Sequence, residues 1–293
     1  MTIAQAILLG ALQGATEFLP VSSDGHLVLA EAILKLDANA GDLVVFNLLV
    51  HVATVAAIVV ALREDLLNIL TAALGRTIDV KSPKFGTEMR DIFYTTAQAR
   101  AIVWWIAVCV FCTGILHIAI EKAVGEDNLD RFITNSTVAG FGFLATCGML
   151  VMGQLVKPGE ANIRQTGVRR AIAIGLSQWF AVLPGWSRSG TTIGVGIATG
   201  MARLDAAKFS FLMAIPLILL AFLKEAHDKR DQLHLSADAV PFAVGFVVAM
   251  GVGIWAIQFL MKLLRDRNGL WPFIYYTAAV GLVTLGLAFG KVI

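Results

Sequence analysis

Charged residues are scarce in this chain. Only 15% of its 293 residues are Asp, Glu, Lys or Arg, whereas 57% are apolar. Soluble globular domains carry about 25% charged residues. Together with a mean hydropathy of +0.76, this scarcity excludes an ordinary soluble domain and predicts an integral membrane protein. The net charge of +2 is too small to indicate a nucleic-acid partner.

Cysteine is also rare. The chain has three cysteines, Cys109, Cys112 and Cys147, and an odd number excludes a fully paired disulfide framework. All three lie in apolar segments, so the Cys109–Cys112 spacing indicates helix packing. The first residues lack the basic stretch that opens a secretory leader, and no cleavable signal peptide is expected.

Six segments are apolar enough to span a bilayer, which requires about 20 mainly apolar residues per helix. They cover roughly residues 43–62, 101–120, 134–156, 209–223, 239–262 and 270–290. Two further regions, 3–35 and 168–202, are apolar but interrupted by polar motifs with proline and glycine. The predicted fold is an all-α polytopic membrane protein of six transmembrane helices plus two re-entrant helical hairpins, in a single domain over 1–293.

An internal repeat appears when the sequence is shifted by 165 positions. The matched pairs are Gly10 with Gly175, Gln13 with Gln178, Ser22 with Ser187, Gly25 with Gly190 and Phe46 with Phe211. Repeat 1 covers about 1–156 and repeat 2 about 160–293. Each repeat holds one broken hairpin and three spans, and an odd number of spans predicts an inverted-topology repeat, a common plan in membrane transporters.

Basic residues predict the orientation, because cytoplasmic loops carry an excess of Lys and Arg. The regions 63–100, 157–170 and 262–267 are rich in both, whereas 121–132 and 224–238 are mixed with acids. The first set is therefore predicted to be cytoplasmic, with both termini outside. A surface helix is predicted before the hydrophilic stretch DVKSPKFGTEMRD. Lys208, at the start of a span, is predicted to extend towards the membrane surface.

The second polar motif, PGWSRSGTT at 184–192, predicts an anion site. Arg188 presents a planar fork of donors that matches phosphate oxygens. Ser187, Ser189 and Thr192 add hydroxyl groups at a helix start, where backbone N–H groups also favour an anion. The alternative is an arginine at the membrane surface with small residues for helix packing.

The first polar motif, QGATEFLPVSSDGH at 13–26, predicts catalytic chemistry. Gln13 and Glu17 share one helix face. Glu17 and His26 are candidates for proton transfer, and Ser23 or His26 for the nucleophile, because a phosphate ester needs both functions. The residues leave the nucleophile open between Ser23 and His26.

Four alternatives apply to the first motif. Glu17 can simply pair with Arg188, and Ser22 and Ser23 can cap the following helix. Glu17 and Asp24 can together hold a divalent cation, Mg²⁺ or Ca²⁺, since carboxylates favour hard ions. Asp24 can equally be a helix cap.

The two motifs, LQGATEFLPVSSDGH and LPGWSRSGTT, with AAKFSFLMAIP at 206–216, resemble the undecaprenyl-diphosphate phosphatases, the bacitracin-resistance membrane phosphatases. The similarity covers essentially the whole chain. It implies hydrolysis of undecaprenyl diphosphate to the monophosphate carrier used in cell-wall synthesis, by a multi-pass protein of the bacterial inner membrane with its site facing outside. It also implies a catalytic set of Glu17, Ser23, His26 and Arg188, and substrate binding by Gln13, Ser22, Ser187, Ser189 and Thr192.

The chain departs from the family pattern at three positions. Asp24 stands where a small Ser or Thr is expected, and Gln13 replaces an acid. His51 stands in place of Gln and is either a packing residue or part of the site.

The alternative functions are a lipid flippase or ion-coupled transporter of the same architecture, and an inactive homologue. Expected partners are the polyprenyl diphosphate and membrane lipids, with a homodimer left open and nucleic acid excluded.

Overall fold

A computed structural model describes residues 1–36, 41–76, 94–125, 132, 135–157, 159–228 and 239–290. Its α-helices, numbered here in chain order, are α1 (Ile3–Phe18), α2 (Ser23–Leu34), α3 (Gly41–Ala61), α4 (Arg63–Ala73), α5 (Thr96–Val124), α6 (Ser136–Leu155), α7 (Gly167–Gln178), α8 (Arg188–Ala198), α9 (Arg203–Asp228), α10 (Ala239–Leu263) and α11 (Trp271–Phe289). Short 3₁₀ turns cover Ile163–Gln165 and Trp179–Val182.

Six of these helices, α3, α5, α6, α9, α10 and α11, are long and apolar enough to cross a membrane. They coincide with the six segments predicted from hydropathy, so the all-α polytopic fold is confirmed. The helix α4 occupies the position of the predicted surface helix. The hydrophilic stretch predicted after it, at 79–91, lies outside the described residues.

The two interrupted regions form helix–break–helix units. The first is α1 and α2, broken at residues 19–22, and the second is α7 and α8, broken at residues 179–187. Both second helices begin with the same side-chain cap, although the backbone differs, with φ 70° at Ser22 and φ −70° at Ser187. The Ser22 hydroxyl accepts the backbone N–H of Gly25 at 3.3 Å, and the Ser187 hydroxyl accepts that of Gly190 at 3.0 Å. The predicted capping role of Ser22 is therefore confirmed, and the duplicated motif is a duplicated N-cap.

Packing between the two halves also follows the repeat. Helix α1 packs against α10, and its counterpart α7 packs against α5. Gly10 allows the first close approach and its repeat mate Gly175 the second, next to the backbones of Gly245 and Cys109 respectively. Each hairpin thus packs against the middle span of the other half, as a duplicated architecture requires. The opposite membrane orientation of the two repeats stays a prediction.

The prediction for Lys208 is wrong. Its side chain does not extend to the membrane surface but is buried, with Nζ 3.1 Å from the Asp65 carboxylate of α4. A buried ammonium needs such a partner because its desolvation is costly. The helix α9 begins at Arg203, ahead of the apolar segment predicted from 209.

We expect Gly10→Ala to lower the melting temperature of the detergent-purified protein by several degrees. A Cβ atom at Gly10 would lie 2.6 Å from the backbone carbonyl oxygen of Gly245, and neither backbone can move aside cheaply. Overpacking of this kind costs about 1–3 kcal/mol, which exceeds the gain of about 1 kcal/mol from replacing a helical glycine. The control is Gly251→Ala in α10, where a Cβ meets nothing within 4 Å. Equal melting temperatures for the two variants would contradict the close packing of α1 and α10.

Candidate functional site

The two polar motifs meet at one cavity of about 380 Å³. Glu17, Ser23 and Asp24 line it from the first motif, and Ser187 and Arg188 from the second. Much of the remaining wall is apolar and comes from the second half of α9, around residues 217–222, with further residues from α3, α5 and the break between α7 and α8. The predicted convergence of the motifs is thus observed in the structure. The cavity has the shape expected of a site that takes a polar head group beside an apolar chain.

Glu17 is the centre of the polar contacts. Its Oε1 lies 2.5 Å from Nη2 of Arg188. Its Oε2 accepts from the Ser23 hydroxyl at 2.6 Å and from the Gln13 side-chain amide at 3.0 Å. Glu17, Ser23 and Gln13 are all buried. The carboxylate is therefore held in place by three donors from both halves of the chain, one of them the hydroxyl of a candidate nucleophile.

Arg188 has unused hydrogen-bonding capacity. It is the first residue of α8, and its side chain is 12% exposed. One terminal nitrogen, Nη2, is taken up by Glu17, whereas Nη1 is buried and has no hydrogen-bond partner among the described residues. A buried, unpaired guanidinium N–H at a helix start favours an anion. Arg188 can therefore donate to a further acceptor while it remains paired with Glu17.

The turn before Arg188 is fixed against α6. Gly185 has φ +80°, and a Cβ there would lie 1.9 Å from the carbonyl oxygen of Ala139, so only glycine fits. The Thr146 hydroxyl donates to the Gly185 carbonyl at 2.8 Å and accepts the Ser187 N–H at 2.7 Å. These contacts hold the start of α8 at the cavity wall.

Ser189 and Thr192 do not line the cavity. The Ser189 hydroxyl donates to the Leu19 carbonyl at 3.1 Å, which ties α8 to the break in the first hairpin. The Thr192 hydroxyl lies 2.6 Å from the Ser210 hydroxyl on α9. In this arrangement both residues position α8, and direct substrate binding by either of them stays a prediction.

His26 also lies outside the cavity lining. Its Nδ1 is 2.6 Å from the Ser22 carbonyl oxygen and its Nε2 is 2.7 Å from the Tyr276 hydroxyl, so both ring nitrogens are engaged. The ring stacks on Tyr276 and packs edge-on against Phe143. In this arrangement His26 holds α2 against α11. Its predicted catalytic role stays a prediction, and it requires exchange of the Tyr276 contact.

The predicted cation site at Glu17 and Asp24 finds little support in the geometry. Both oxygens of Glu17 are already occupied by protein donors. Across the part of the chain that the structure describes, no group of three or more His, Cys, Asp or Glu side chains is placed to hold a metal ion. The described side chains alone supply no complete ligand set, and a divalent cation at Glu17 and Asp24 stays a prediction.

Two histidines contribute more to the cavity than the sequence indicated. His51, left open between packing and site, lines it beside Asp24. His117, near the end of a span, also lines it, with Nε2 3.3 Å from the Glu121 carboxylate. Neither position belongs to the two motifs, so only the fold brings them to the site.

Comparison with known proteins agrees with the motifs. Residues 6–283 match the family described as bacitracin resistance protein BacA. A protein of Methanobrevibacter smithii named undecaprenyl-diphosphatase is 33% identical over 283 residues, covering 97% of this chain and 96% of its own length. Relatives of the same name from Korarchaeum cryptofilum and Treponema denticola are each 34% identical, covering 98% and 96% of this chain and 100% and 96% of their own lengths. With the family match spanning nearly all of its length, this chain is a member of the BacA family.

Proposed function

We propose that this protein hydrolyses undecaprenyl diphosphate to undecaprenyl phosphate and inorganic phosphate. The names of its relatives and the description of its family support this activity, which would recycle the lipid carrier of cell-wall synthesis and counter bacitracin. One structural observation carries the proposal. Arg188, with a buried and unpaired Nη1, lies in the same cavity as a serine hydroxyl bonded to a buried carboxylate.

The contacts support a proposed role for each group. Nη1 of Arg188 binds the terminal phosphate, while Nη2 stays on Glu17. Glu17 takes the hydroxyl proton of Ser23 as the serine oxygen attacks the terminal phosphorus. The phosphoanhydride bond breaks, undecaprenyl phosphate leaves with the proton that Glu17 took from Ser23, and a phosphoserine remains. Water, deprotonated by Glu17, then releases phosphate and restores the Ser23 hydroxyl. Ser23 is favoured over His26 as the nucleophile because its oxygen is 2.6 Å from Glu17 and faces the cavity.

A groove between α5 and α9 suits the polyprenyl chain. It encloses about 570 Å³ and is lined by apolar residues such as Ile106, Phe111 and Leu220. On α9, Pro216 and Leu220 face the groove, whereas Leu217, Ile218 and Ala221 face the cavity, so the two lie on different sides of this helix. A lipid whose diphosphate lies at Arg188 would pass its chain around α9 to reach this groove.

The proposed location is the bacterial plasma membrane, with the site facing outside. The six apolar helices make the protein a multi-pass membrane protein. The cavity extends to Glu225, near the end of α9, and to His117, in the last third of α5. The loops that follow these helix ends are the ones with few basic residues, which are predicted to be external. The diphosphate would then be taken up from the outer leaflet.

Phosphate release by the purified protein in detergent tests the proposal. We expect release from undecaprenyl diphosphate, and a much lower kcat/KM for geranyl diphosphate, because a short chain fills little of the α5–α9 groove. Binding energy from such remote contacts is used in the transition state. No release from either lipid, together with lipid transport in vesicles, would overturn the proposal in favour of the flippase alternative.

A further inference from the structure

Asp24 and His51, two positions at which the chain departs from the family pattern, lie side by side in the structure. Asp24 is in the first turn of α2 and His51 is inside α3, and His51 Nε2 is 3.7 Å from Asp24 Oδ1. Both residues line the cavity that holds Glu17 and Arg188. In the sequence the two residues are separate departures, whereas in the fold their side chains form one pair.

The ring of His51 is oriented by its own helix. Nδ1 lies 2.7 Å from the backbone carbonyl oxygen of Asn47, one turn earlier. A carbonyl can only accept, so Nδ1 carries a hydrogen atom. Asn47 is itself held by its side-chain amide, which donates to Glu31 of α2 at 3.0 Å. Nε2 is thereby directed at Asp24 Oδ1. When Nε2 also carries a hydrogen atom, the contact is an ion pair between an imidazolium and a carboxylate.

The charge of Asp24 is a liability at the proposed site. Its side chain is half exposed to the cavity, where a diphosphate would carry several negative charges. The Asp24 carboxylate and the phosphates would repel each other within the cavity, and a serine or threonine at position 24 would add no such repulsion. The imidazolium of His51 compensates the carboxylate and so removes the repulsion.

We infer that Asp24 and His51 form a charge-compensating pair that allows the cavity to accept a diphosphate despite the carboxylate. His51 is a positioning residue whose effect depends on Asp24. This inference rests on the proposed function. It also distinguishes two possible roles of Asp24. An aspartate that holds a metal ion would contribute to activity with or without His51. An aspartate that is only compensated by His51 would lower activity once His51 is replaced.

A double-mutant cycle tests the pair. His51→Gln, Asp24→Ser and the double variant are assayed with undecaprenyl diphosphate at one fixed Mg²⁺ concentration, and kcat and KM are determined separately. We expect His51→Gln to raise KM by about tenfold with little change in kcat, because a like charge is left uncompensated near the bound phosphates. Adding Asp24→Ser should return KM to near the wild-type value, and His227→Gln, in an exposed helix end, should leave KM unchanged.

Each outcome decides the inference. A double variant that is no better than His51→Gln, or additive effects of the two substitutions, would overturn the pair and favour a metal-binding or separate role for Asp24. Packing damage by His51→Gln is detected as a lower melting temperature, and the addition of Asp24→Ser would not repair it. An inactive wild-type protein would overturn the proposed function instead, which keeps the two failures distinct.

Discussion

Arg188→Ala is expected to reduce kcat/KM for undecaprenyl diphosphate by at least about a thousandfold. The substitution removes the buried Nη1 that we place on the terminal phosphate and the Nη2 that pairs with Glu17. It also leaves the Glu17 carboxylate uncompensated beside an anionic substrate. Both consequences act against the transition state, in which negative charge accumulates on the leaving oxygen.

Two further variants show whether the loss comes from chemistry. Arg188→Lys keeps the positive charge but loses the planar fork, so we expect an intermediate activity, since lysine acts only as a point charge. Arg169→Ala, at an exposed position of α7, is the matched control and should leave phosphate release unchanged. Melting temperatures report on folding. An Arg188→Ala protein that is folded and retains more than about a tenth of wild-type activity would contradict the assignment.

The duplicated N-cap explains how one motif supplies two functions. Ser22 and Ser187 cap α2 and α8 in the same way, and the residue after each cap faces the cavity. That residue is Ser23 in the first half and Arg188 in the second, and both contact the same carboxylate, Glu17. The repeat therefore delivers a hydroxyl and a guanidinium to one point from opposite hairpins. A single helix start could not provide both.

The sequence predicts the parts of the fold that depend on local properties. Six spans follow from hydropathy, and the helix breaks follow from Pro20 and Pro184 beside polar residues, because such breaks are set within a few residues. The sequence also offers the pairing of Glu17 with Arg188 as an alternative, since two opposite charges inside a membrane protein rarely stay apart.

Contacts between helices that are distant in the chain cannot be predicted from the sequence pattern. The burial of Lys208 against Asp65 depends on how α4 docks, and the Tyr276 hydroxyl at His26 depends on the packing of α11 against α6. Hydropathy does not state which face of an apolar helix meets which neighbour. For the same reason the sequence does not single out His117, which lines the cavity.

Ser23→Ala is expected to reduce phosphate release by about a thousandfold or more, because it removes the attacking oxygen. Ser23 is the only hydroxyl that the structure, in the residues it describes, places on the Glu17 carboxylate. The matched control is Ser177→Ala in α7, whose hydroxyl bonds only within its own helix among the described contacts. Its activity should match that of the wild type.

Acid quenching during turnover identifies the nucleophile directly. With undecaprenyl diphosphate labelled in its terminal phosphate, we expect the wild-type protein to carry an acid-stable label on Ser23. Glu17→Gln should carry little label, because an amide cannot accept the serine proton. An acid-labile label on His26 would instead assign the attack to the histidine, and it would mean that the ring leaves Tyr276 during the reaction. Absence of any label, with full activity of Ser23→Ala, would mean that water attacks the phosphorus and that the Ser23 hydroxyl only orients Glu17.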